Sequence, residues 1–312
     1  MSIAELPCEY CNRTSSTYCG PEATACVTWG GTIIAEPATM LTDFAVAAAC
    51  FVASVLLSRQ WRASKRRGDA QLCTALWSLG LGLLALSFAA AGAEHGFAVY
   101  TLCGKPQETC AFTSPLWLVS MTLAVVAVGT LVLAYAARDY RQGNFRAAQA
   151  SAAVPLVVTP SYAVVLAAGY ANESLLLQSF LAMVGFLVPL VLLLVGLCCR
   201  ATAAAKASGG DAAAVASQRS VARGLGLVVL AQLWQVPKVS PSRWFTANDV
   251  SHTIFFLAVP FLYSGAAAMR DGGAGEAGSE EDHGAIKSAV TRRHVGATQG
   301  ETELTSAGPQ GR

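Results

Sequence analysis

Two ionisable side chains lie at the start of the last long apolar run of the chain. Asp249 and His252 are followed by the run Ile254 to Ala268. Because they are three positions apart, both side chains lie on one face of a helix, where they can hold one ligand, ion or proton together. An acid and an imidazole at the edge of hydrocarbon indicate a functional site, because ionisable groups are costly there.

Only two other places carry comparable groups at or inside the ends of long apolar runs. Asp43 lies near the start of the first run, and the pair Glu94-His95 lies at the end of the second. If the runs are helices that alternate in direction, Asp43 and His95 lie at a similar depth to the groups of the last run, within two turns of one membrane surface. We expect these four residues to face one another. On the competing structural interpretation given below, Glu94 lies in the headgroup solvent.

Two histidines and one or two carboxylates suit a zinc ion with an open position for water. Such an ion lowers the pKa of its bound water for attack on a carbonyl group. On this hypothesis His95, His252 and Asp249 bind the metal, and Asp43 and Asp249 are the candidate catalytic acids. The competing interpretation is a hydrogen-bonded polar plug that fixes helix packing or supports a ligand pocket.

The composition indicates that membrane helices position these groups. Hydrophobic residues make up 54% of the chain and charged residues 13%, whereas about a quarter of a soluble domain is charged. Six apolar runs can each cross about 30 Å of hydrocarbon as a helix, and a shorter seventh contains Arg223, Gln232 and Gln235. The six are about Ala38 to Leu57, Leu72 to Gly96, Pro115 to Ala137, Ser151 to Tyr170, Leu175 to Cys199 and Asp249 to Met269, and the seventh is about Val221 to Pro237.

We therefore predict an all-α polytopic membrane protein with seven transmembrane helices in residues 38–270. The inner loop Ala201 to Ala222 is expected to be a flexible connector or a short frayed helix. Residues 271–312 are Gly-rich and polar, which predicts a disordered tail. Nothing in the charge pattern indicates a nucleic-acid partner, and the expected partner is membrane lipid.

Basic residues predict the orientation, because cytosolic loops of membrane proteins are enriched in Lys and Arg. With seven spans, the basic residues fall mainly on one side: Arg59, Arg62, Lys65, Arg66, Arg67, Arg138, Arg141, Arg146, Arg200, Lys206, Arg219 and Arg223. The other side has only Arg13, Lys105, Lys238 and Arg243. The N-terminus is therefore expected outside or in a lumen, and the tail in the cytosol. No signal peptide is expected in Met1 to Cys26.

Residues 1–37 form a Cys-rich segment on the side predicted to be outer. Six cysteines fall on that side, namely Cys8, Cys11, Cys19, Cys26, Cys103 and Cys110. An even number in an oxidising compartment favours disulfides, and a zinc cluster of the first four is the alternative. The sequons at Asn12 and Asn172 predict a glycoprotein of the plasma membrane or an endomembrane.

Three stretches carry a resemblance to a known group of proteins. They are Glu36-Pro37-Ala38-Thr39-Met40-Leu41-Thr42-Asp43, Glu94-His95-Gly96-Phe97 and Asn248-Asp249-Val250-Ser251-His252. They are similar to uncharacterised seven-span proteins that distantly resemble the CREST superfamily, which contains the alkaline ceramidases and the progestin and adiponectin receptors. The resemblance implies a seven-helix fold that hydrolyses a lipid amide or ester, or that senses a lipid.

In ceramidase-like members, zinc is held by a histidine of span two and an HxxxH pair of span seven, with a serine and an aspartate nearby. The resemblance therefore implies His95 and His252 as ligands. Asn248 stands at the first position of the expected pair and Ala91 at that of the serine, and the third apolar run has no Asp. Asp249 and Asp43 are the candidates for the missing ligand.

Other membrane classes match the sequence less well. A retinal protein needs a lysine within a span, and every lysine here falls in a predicted loop or the tail. A G-protein-coupled receptor is suggested weakly by Arg138-Asp139-Tyr140, which has the wrong order. A transporter would show charged, broken helices near the midplane. Pro160 and Pro189 interrupt two of the apolar runs, but no charge accompanies them. The alternative that remains is a non-catalytic seven-span receptor or structural membrane protein.

Overall fold

The described part of the chain is a bundle of seven α-helices preceded by three very short strands. The computed structural model describes residues 4–5, 27–29, 32–34, 36–68, 71–98, 115–172, 180–207, 212–235, 239–242 and 244–269. The helices are α1 Pro37–Arg66, α2 Leu72–Ala93, α3 Pro115–Arg141, α4 Phe145–Ala171, α5 Phe180–Ala207, α6 Ala212–Trp234 and α7 Ala247–Ala268. A π-helical turn, Glu94–Ala98, continues α2. The strands β1 Ala4–Glu5, β2 Val27–Trp29 and β3 Thr32–Ile34 pair antiparallel in that order.

Six of the helices are long and apolar enough to cross a membrane, and α6 does not meet that criterion. A 22-residue helix such as α7 is about 33 Å long, which matches the hydrocarbon core. The outer faces of α4 and α5 carry exposed aliphatic side chains, among them Leu156, Val164 and Leu192. Such faces suit lipid rather than water. The predicted helical, multi-pass membrane architecture is thereby confirmed at this level.

The sixth helix is longer than the sequence predicted. It begins at Ala212, before the expected start at Val221, and the preceding helix continues to Ala207. The segment expected as a flexible connector is thus helical over 201–207 and 212–222. Of the two alternatives expected there, the described residues form a helix and not a flexible connector, because the polar residues in the segment do not prevent a helix that packs on a neighbour. Ser217 and Gln218 are buried against the rest of the bundle.

Contacts between helices fix their relative directions. Asp43 packs on Gly92 and Ser54 on Ser78, so α1 and α2 are antiparallel. His252 contacts Asp43, and Gln60 Nε2 donates to Ala267 O at 2.6 Å, so α1 and α7 run in the same direction.

Helix α6 runs antiparallel along most of α7. Ser217 Oγ donates to Gly265 O near one end of the pair at 2.8 Å. Gln235 Nε2 donates to Ser251 Oγ near the other at 3.1 Å.

The largest apolar core lies between these helices and α3 and α5. Its centre includes Trp77 of α2, whose ring packs edge-on against Tyr135 of α3 at a centroid distance of 6.4 Å. A second cluster joins α3, α4 and α5 around Met121 and Tyr162. Beyond both cores, the start of α1, the end of α2 and the start of α7 contact one another at one end of the bundle.

Several predictions concern residues outside the described part of the chain. They include the six cysteines expected in disulfides, the sequon at Asn12 and the tail. Within the described residues, Cys50, Cys73, Cys198 and Cys199 are free. The disulfide, glycosylation and tail predictions stay predictions.

Candidate functional site

The start of α1 presents polar side chains to the interior of the bundle. Thr39 and Asp43 are four positions apart and therefore lie on one face of the helix. Both are buried, and the exposed fraction of Asp43 is 0%. Pro37 occupies the first turn of α1, where its missing N–H costs no hydrogen bond. This face contacts the end of α2 and the start of α7.

Asp43 faces the imidazole of His252. Nδ1 of His252 lies 3.1 Å from Oδ1 of Asp43, which is an ion-pair distance. The contact lacks hydrogen-bond geometry, and neither carboxylate oxygen of Asp43 accepts a hydrogen bond from the described residues. We therefore treat the contact as electrostatic. A buried carboxylate without a hydrogen-bond donor is unusual in a folded protein and needs an explanation.

Thr42 connects these two residues to Asp249. Its hydroxyl lies 3.5 Å from both Asp249 Oδ1 and His252 Nδ1, at the limit of hydrogen bonding. A shorter bond, 3.0 Å, joins the same hydroxyl to Thr39 O. Asp249 and His252 thus both approach the hydroxyl of Thr42, and His252 also contacts Asp43. We call Thr42, Asp43, Asp249 and His252 the polar cluster.

The carboxylate of Asp249 also caps α7. Its Oδ2 accepts a hydrogen bond from the backbone N–H of Thr246, the residue just before the helix. An acid at the third position of a helix in this way satisfies a free backbone donor and favours the positive end of the helix dipole. The carbonyl of Asp249 in turn accepts a bond from Thr253 Oγ1 at 2.7 Å. Asp249 therefore has a structural role that the sequence analysis did not predict.

His95 has a different acidic partner from the one expected. Its Nδ1 lies 2.8 Å from Oε2 of Glu36, and its carbonyl accepts the backbone N–H of Glu36 at 3.3 Å. The ring also stands edge-on to Trp117 of α3, with centroids 6.3 Å apart. His95 thus adjoins the polar cluster and is paired with Glu36 rather than with a member of it.

Two glycines allow α2 to approach α1 closely at this end. A Cβ atom on Gly92 would lie 3.1 Å from Asp43 Cβ and 3.2 Å from Met40 O, and one on Gly96 would collide with the Met40 side chain. Because glycine has no Cβ, the backbone carrying His95 can pack directly on the acidic face of α1. The close packing also excludes solvent from Asp43.

The structural interpretation in the sequence analysis expected Glu94 in the headgroup solvent. The structure does not place it there. Its side chain is buried, with an exposed fraction of 2%. The π-helical turn begins at Glu94, which is packed inside the bundle. The sequence had no signal for this turn other than Gly96.

The sequence matches a known family over most of its length. The sequence model of that family covers residues 38–271. The chain belongs to DUF6962, a family of unknown function. The matched segment contains Asp43, His95, Asp249 and His252, and it begins two residues after Glu36. No curated protein and no solved structure matches the chain.

The sequence analysis did not select two residues that contact the candidate site residues. Glu36 contacts His95, and Thr42 contacts Asp249 and His252. Glu36 is the last charged residue before the first apolar run and is seven positions, about two turns, from Asp43. That spacing was the available signal, because residues seven apart share a helix face. Thr42 had no comparable signal, since threonine is common in membrane helices and its contacts depend on the packing of α7.

The same pattern of contact occurs at both histidines. Each is approached at Nδ1 by a carboxylate from α1 or its preceding residue, which leaves Nε2 as the second ring nitrogen. Metal-binding histidines are characteristically oriented by such a carboxylate. A catalytic zinc site needs three protein ligands, however. Among the described residues no three His, Cys, Asp or Glu side chains form a group that could hold a metal ion. The zinc site stays a prediction.

Proposed function

We propose that this protein spans the membrane seven times and binds a lipid at the polar cluster, near the outer surface. The observation that carries the proposal is the carboxylate of Asp43, which is fully buried and accepts no hydrogen bond from the described residues. A bound group that donates a hydrogen bond would satisfy it. Lipids with a free hydroxyl or an amide N–H carry such a donor next to an apolar chain.

The direction of the helices supports the seven-span arrangement. Because α1 and α7 run in the same direction, an odd number of spans joins the start of α1 to the end of α7. Helix α6 packs antiparallel on α7 and supplies the span that hydropathy alone leaves out. The basic loops then favour the cytosol for the end of α1, so that the polar cluster lies near the outer surface.

Hydrolysis of a lipid amide or ester is the second candidate function. It is favoured by the carboxylate contact at Nδ1 of His95 and of His252, which is typical of histidines held in one orientation for binding or proton transfer. On this candidate, Asp43 or Asp249 is the acid–base group, and zinc is the cofactor to be tested. The alternative of a purely structural cluster is favoured by the cap that Asp249 makes on α7.

Lipid binding is tested by Asp43→Asn in the full-length protein purified in detergent. The amide keeps the size of the side chain but is a much weaker acceptor than the carboxylate. We expect binding of a radiolabelled N-acylsphingosine to weaken about tenfold or more, because a charge-assisted hydrogen bond contributes roughly 1.5–3 kcal/mol. The matched control is Asp139→Asn at the opposite end of the bundle, which should leave the affinity unchanged. Equal binding by wild type and Asp43→Asn would contradict the proposal.

Metal analysis separates the two candidates. Plasma mass spectrometry of the same preparation measures zinc per chain, and mass spectrometry of the lipid extract measures released fatty acid. About one zinc per chain that is lost in His252→Ala, together with fatty-acid release, would support hydrolysis. Lipid binding without bound zinc and without fatty-acid release would support lipid binding and contradict hydrolysis.

A further inference from the structure

A groove lies between α1 and α2 in the half of the bundle away from the polar cluster. It has a volume of about 420 Å³ and opens to the surface of the bundle. Large exposed side chains form its rims, including Phe51, which is 61% exposed, and Leu79 and Leu86. Small residues, Ser54, Ser78 and Gly82, form its floor.

The serines of the floor direct their hydrogen bonds into the helix pair. Ser54 Oγ donates to Ser78 O at 2.7 Å, and Ser78 Oγ donates to Ser54 O at 2.8 Å. Ser58 Oγ lies 2.8 Å from Ser78 Oγ and donates to it, because the hydrogen of Ser78 is already used. Since these hydroxyl hydrogens are satisfied internally, the floor suits an apolar occupant.

The length of the groove matches one leaflet of a bilayer. On α1 it extends from Phe51 to Trp61, and on α2 from Ala75 to Leu86. Ten residues of helix are about 15 Å long. The hydrocarbon core is about 30 Å thick, so the groove can follow one acyl chain from the interface to the midplane. Trp61 lies at the end of the groove that is nearer the membrane surface, and tryptophans are common at membrane interfaces.

The face of α1 that lines the groove ends in a positive charge. Lining residues occur at positions 51, 54, 58 and 61, and the same alternation of three and four residues continues to Lys65. Positions with this spacing share one helix face. The ammonium group of Lys65 lies over the Trp61 ring, 5.4 Å from its centroid. Arg62, one turn after Ser58, is exposed beside this face.

We propose that the groove binds one acyl chain of an acidic phospholipid whose phosphate contacts Lys65 and Arg62. The apolar floor and rims accommodate the chain, and the two basic side chains lie where its headgroup would be. The site is at the opposite end of α1 from the polar cluster, so it does not depend on the function proposed for that cluster.

The charge at this end of α1 favours a lipid over other occupants. A second copy seated on the groove with the same orientation in the membrane would bring Arg59, Arg62, Lys65, Arg66 and Arg67 close to their own counterparts, and like charges repel. A sterol has no charge to pair with Lys65. An acidic headgroup at the end of the groove is attracted most strongly by Lys65 and Arg62, and a basic residue near the surface contributes about fivefold in affinity.

Native mass spectrometry of the full-length protein tests both parts of the site. The protein is exchanged into mixed micelles with equal amounts of a phosphatidylserine and a phosphatidylcholine of the same acyl chains. We expect one phosphatidylserine to be retained preferentially. The double variant Arg62→Gln, Lys65→Gln should lower this preference at least tenfold. The charge-matched control is Arg59→Gln, Arg66→Gln, two residues of the same helix end that lie farther around the helix from Lys65 than Arg62 does. It should retain most of the preference.

The acyl part of the site is tested by Ala75→Phe, which fills the groove. It should reduce retention of either lipid, whereas Ala153→Phe on the exposed face of α4 should not. Equal loss of preference in the two double variants would overturn the headgroup assignment and indicate diffuse attraction. Unchanged retention in Ala75→Phe would overturn the groove as the site. A wild-type dimer that Ala75→Phe dissociates would assign the groove to a second copy instead.

Discussion

Two buried carboxylates at opposite ends of the bundle have different partners. Asp139 of α3 accepts a hydrogen bond from the guanidinium of Arg200 of α5. Among the described residues, Asp43 has an imidazole at ion-pair distance and accepts no hydrogen bond. Removing a charge from a paired acid loses an attraction, but removing it from an acid without a donor also removes the cost of burying that charge. The two acids should therefore respond oppositely to the same substitution.

We predict that Asp43→Asn leaves the melting temperature unchanged or raises it, whereas Asp139→Asn lowers it. The loss at Asp139 should be about 1 kcal/mol, since Arg200 is half exposed and screened by solvent. In a protein of this size that corresponds to roughly 2–4 °C. Thermal unfolding in detergent measures both. A comparable fall for Asp43→Asn would favour a structural role for Asp43 and weaken the lipid-binding proposal.

At the residue scale, the sequence located most of the site but not its pairing. Asp43, Asp249 and His252 were selected because ionisable groups at the ends of apolar runs are costly, and the structure brings them together around Thr42. The partner of His95 was not predictable in the same way. Whether an imidazole reaches one acid or another depends on the rotation of α2, and its π-helical turn sets that rotation.

At the scale of elements, the contact between α6 and α7 depends on small residues. A Cβ atom on Gly265 would lie 2.8 Å from Ser217 O and 2.9 Å from Val221 N, both in the backbone of α6. Backbone atoms cannot move aside as a flexible side chain can, so an added methyl group must push the helices apart. The serine that bonds to Gly265 O would lose its partner as well.

Gly265→Ala is therefore expected to destabilise the protein by about 2 kcal/mol. The control is Gly226→Ala on α6, where a Cβ atom would meet nothing within 4 Å. That change should be neutral or slightly stabilising, because alanine has the higher helix propensity. Thermal unfolding of both variants measures the difference. If the two variants have the same melting temperature, α6 and α7 do not pack as described.

The same contact explains why the sequence defined α6 poorly. Hydropathy measures the average character of a segment, and α6 contains Gln218, Arg219 and Arg223. Gln218 is satisfied inside the bundle by Tyr135, whose hydroxyl donates to Oε1 at 2.9 Å. Both arginines are exposed, Arg219 in the first half of the helix and Arg223 at its middle. Hydropathy does not include such partners, so a helix that is stabilised by its neighbours appeared shorter than it is. The apolar helices needed no such information.

At the scale of the whole molecule, the number of spans depends on whether α6 crosses the membrane. If it does, the end of α5 and the segment before α7 lie on opposite sides, and if it does not, they lie on the same side. Cys199, at the end of α5, is exposed, whereas Cys50, Cys73 and Cys198 are buried. Among the described residues it is therefore the native thiol that a reagent can reach.

We predict that a membrane-impermeant maleimide labels Cys199 only after the cells are permeabilised, whereas it labels Ser242→Cys, made in a Cys199→Ala background, on intact cells. Ser242 is exposed in the segment between α6 and α7. Gln142→Cys in the same background is the control, because the exposed turn between α3 and α4 should share the side of Cys199. The Cys199→Ala protein alone corrects for the remaining cysteines, which include four in the N-terminal segment and Cys103 and Cys110 between α2 and α3. Labelling of Cys199 and Ser242→Cys from one side would mean that α6 lies along the membrane and that the count of seven is wrong. It would also remove the reason for placing the polar cluster near the outer surface.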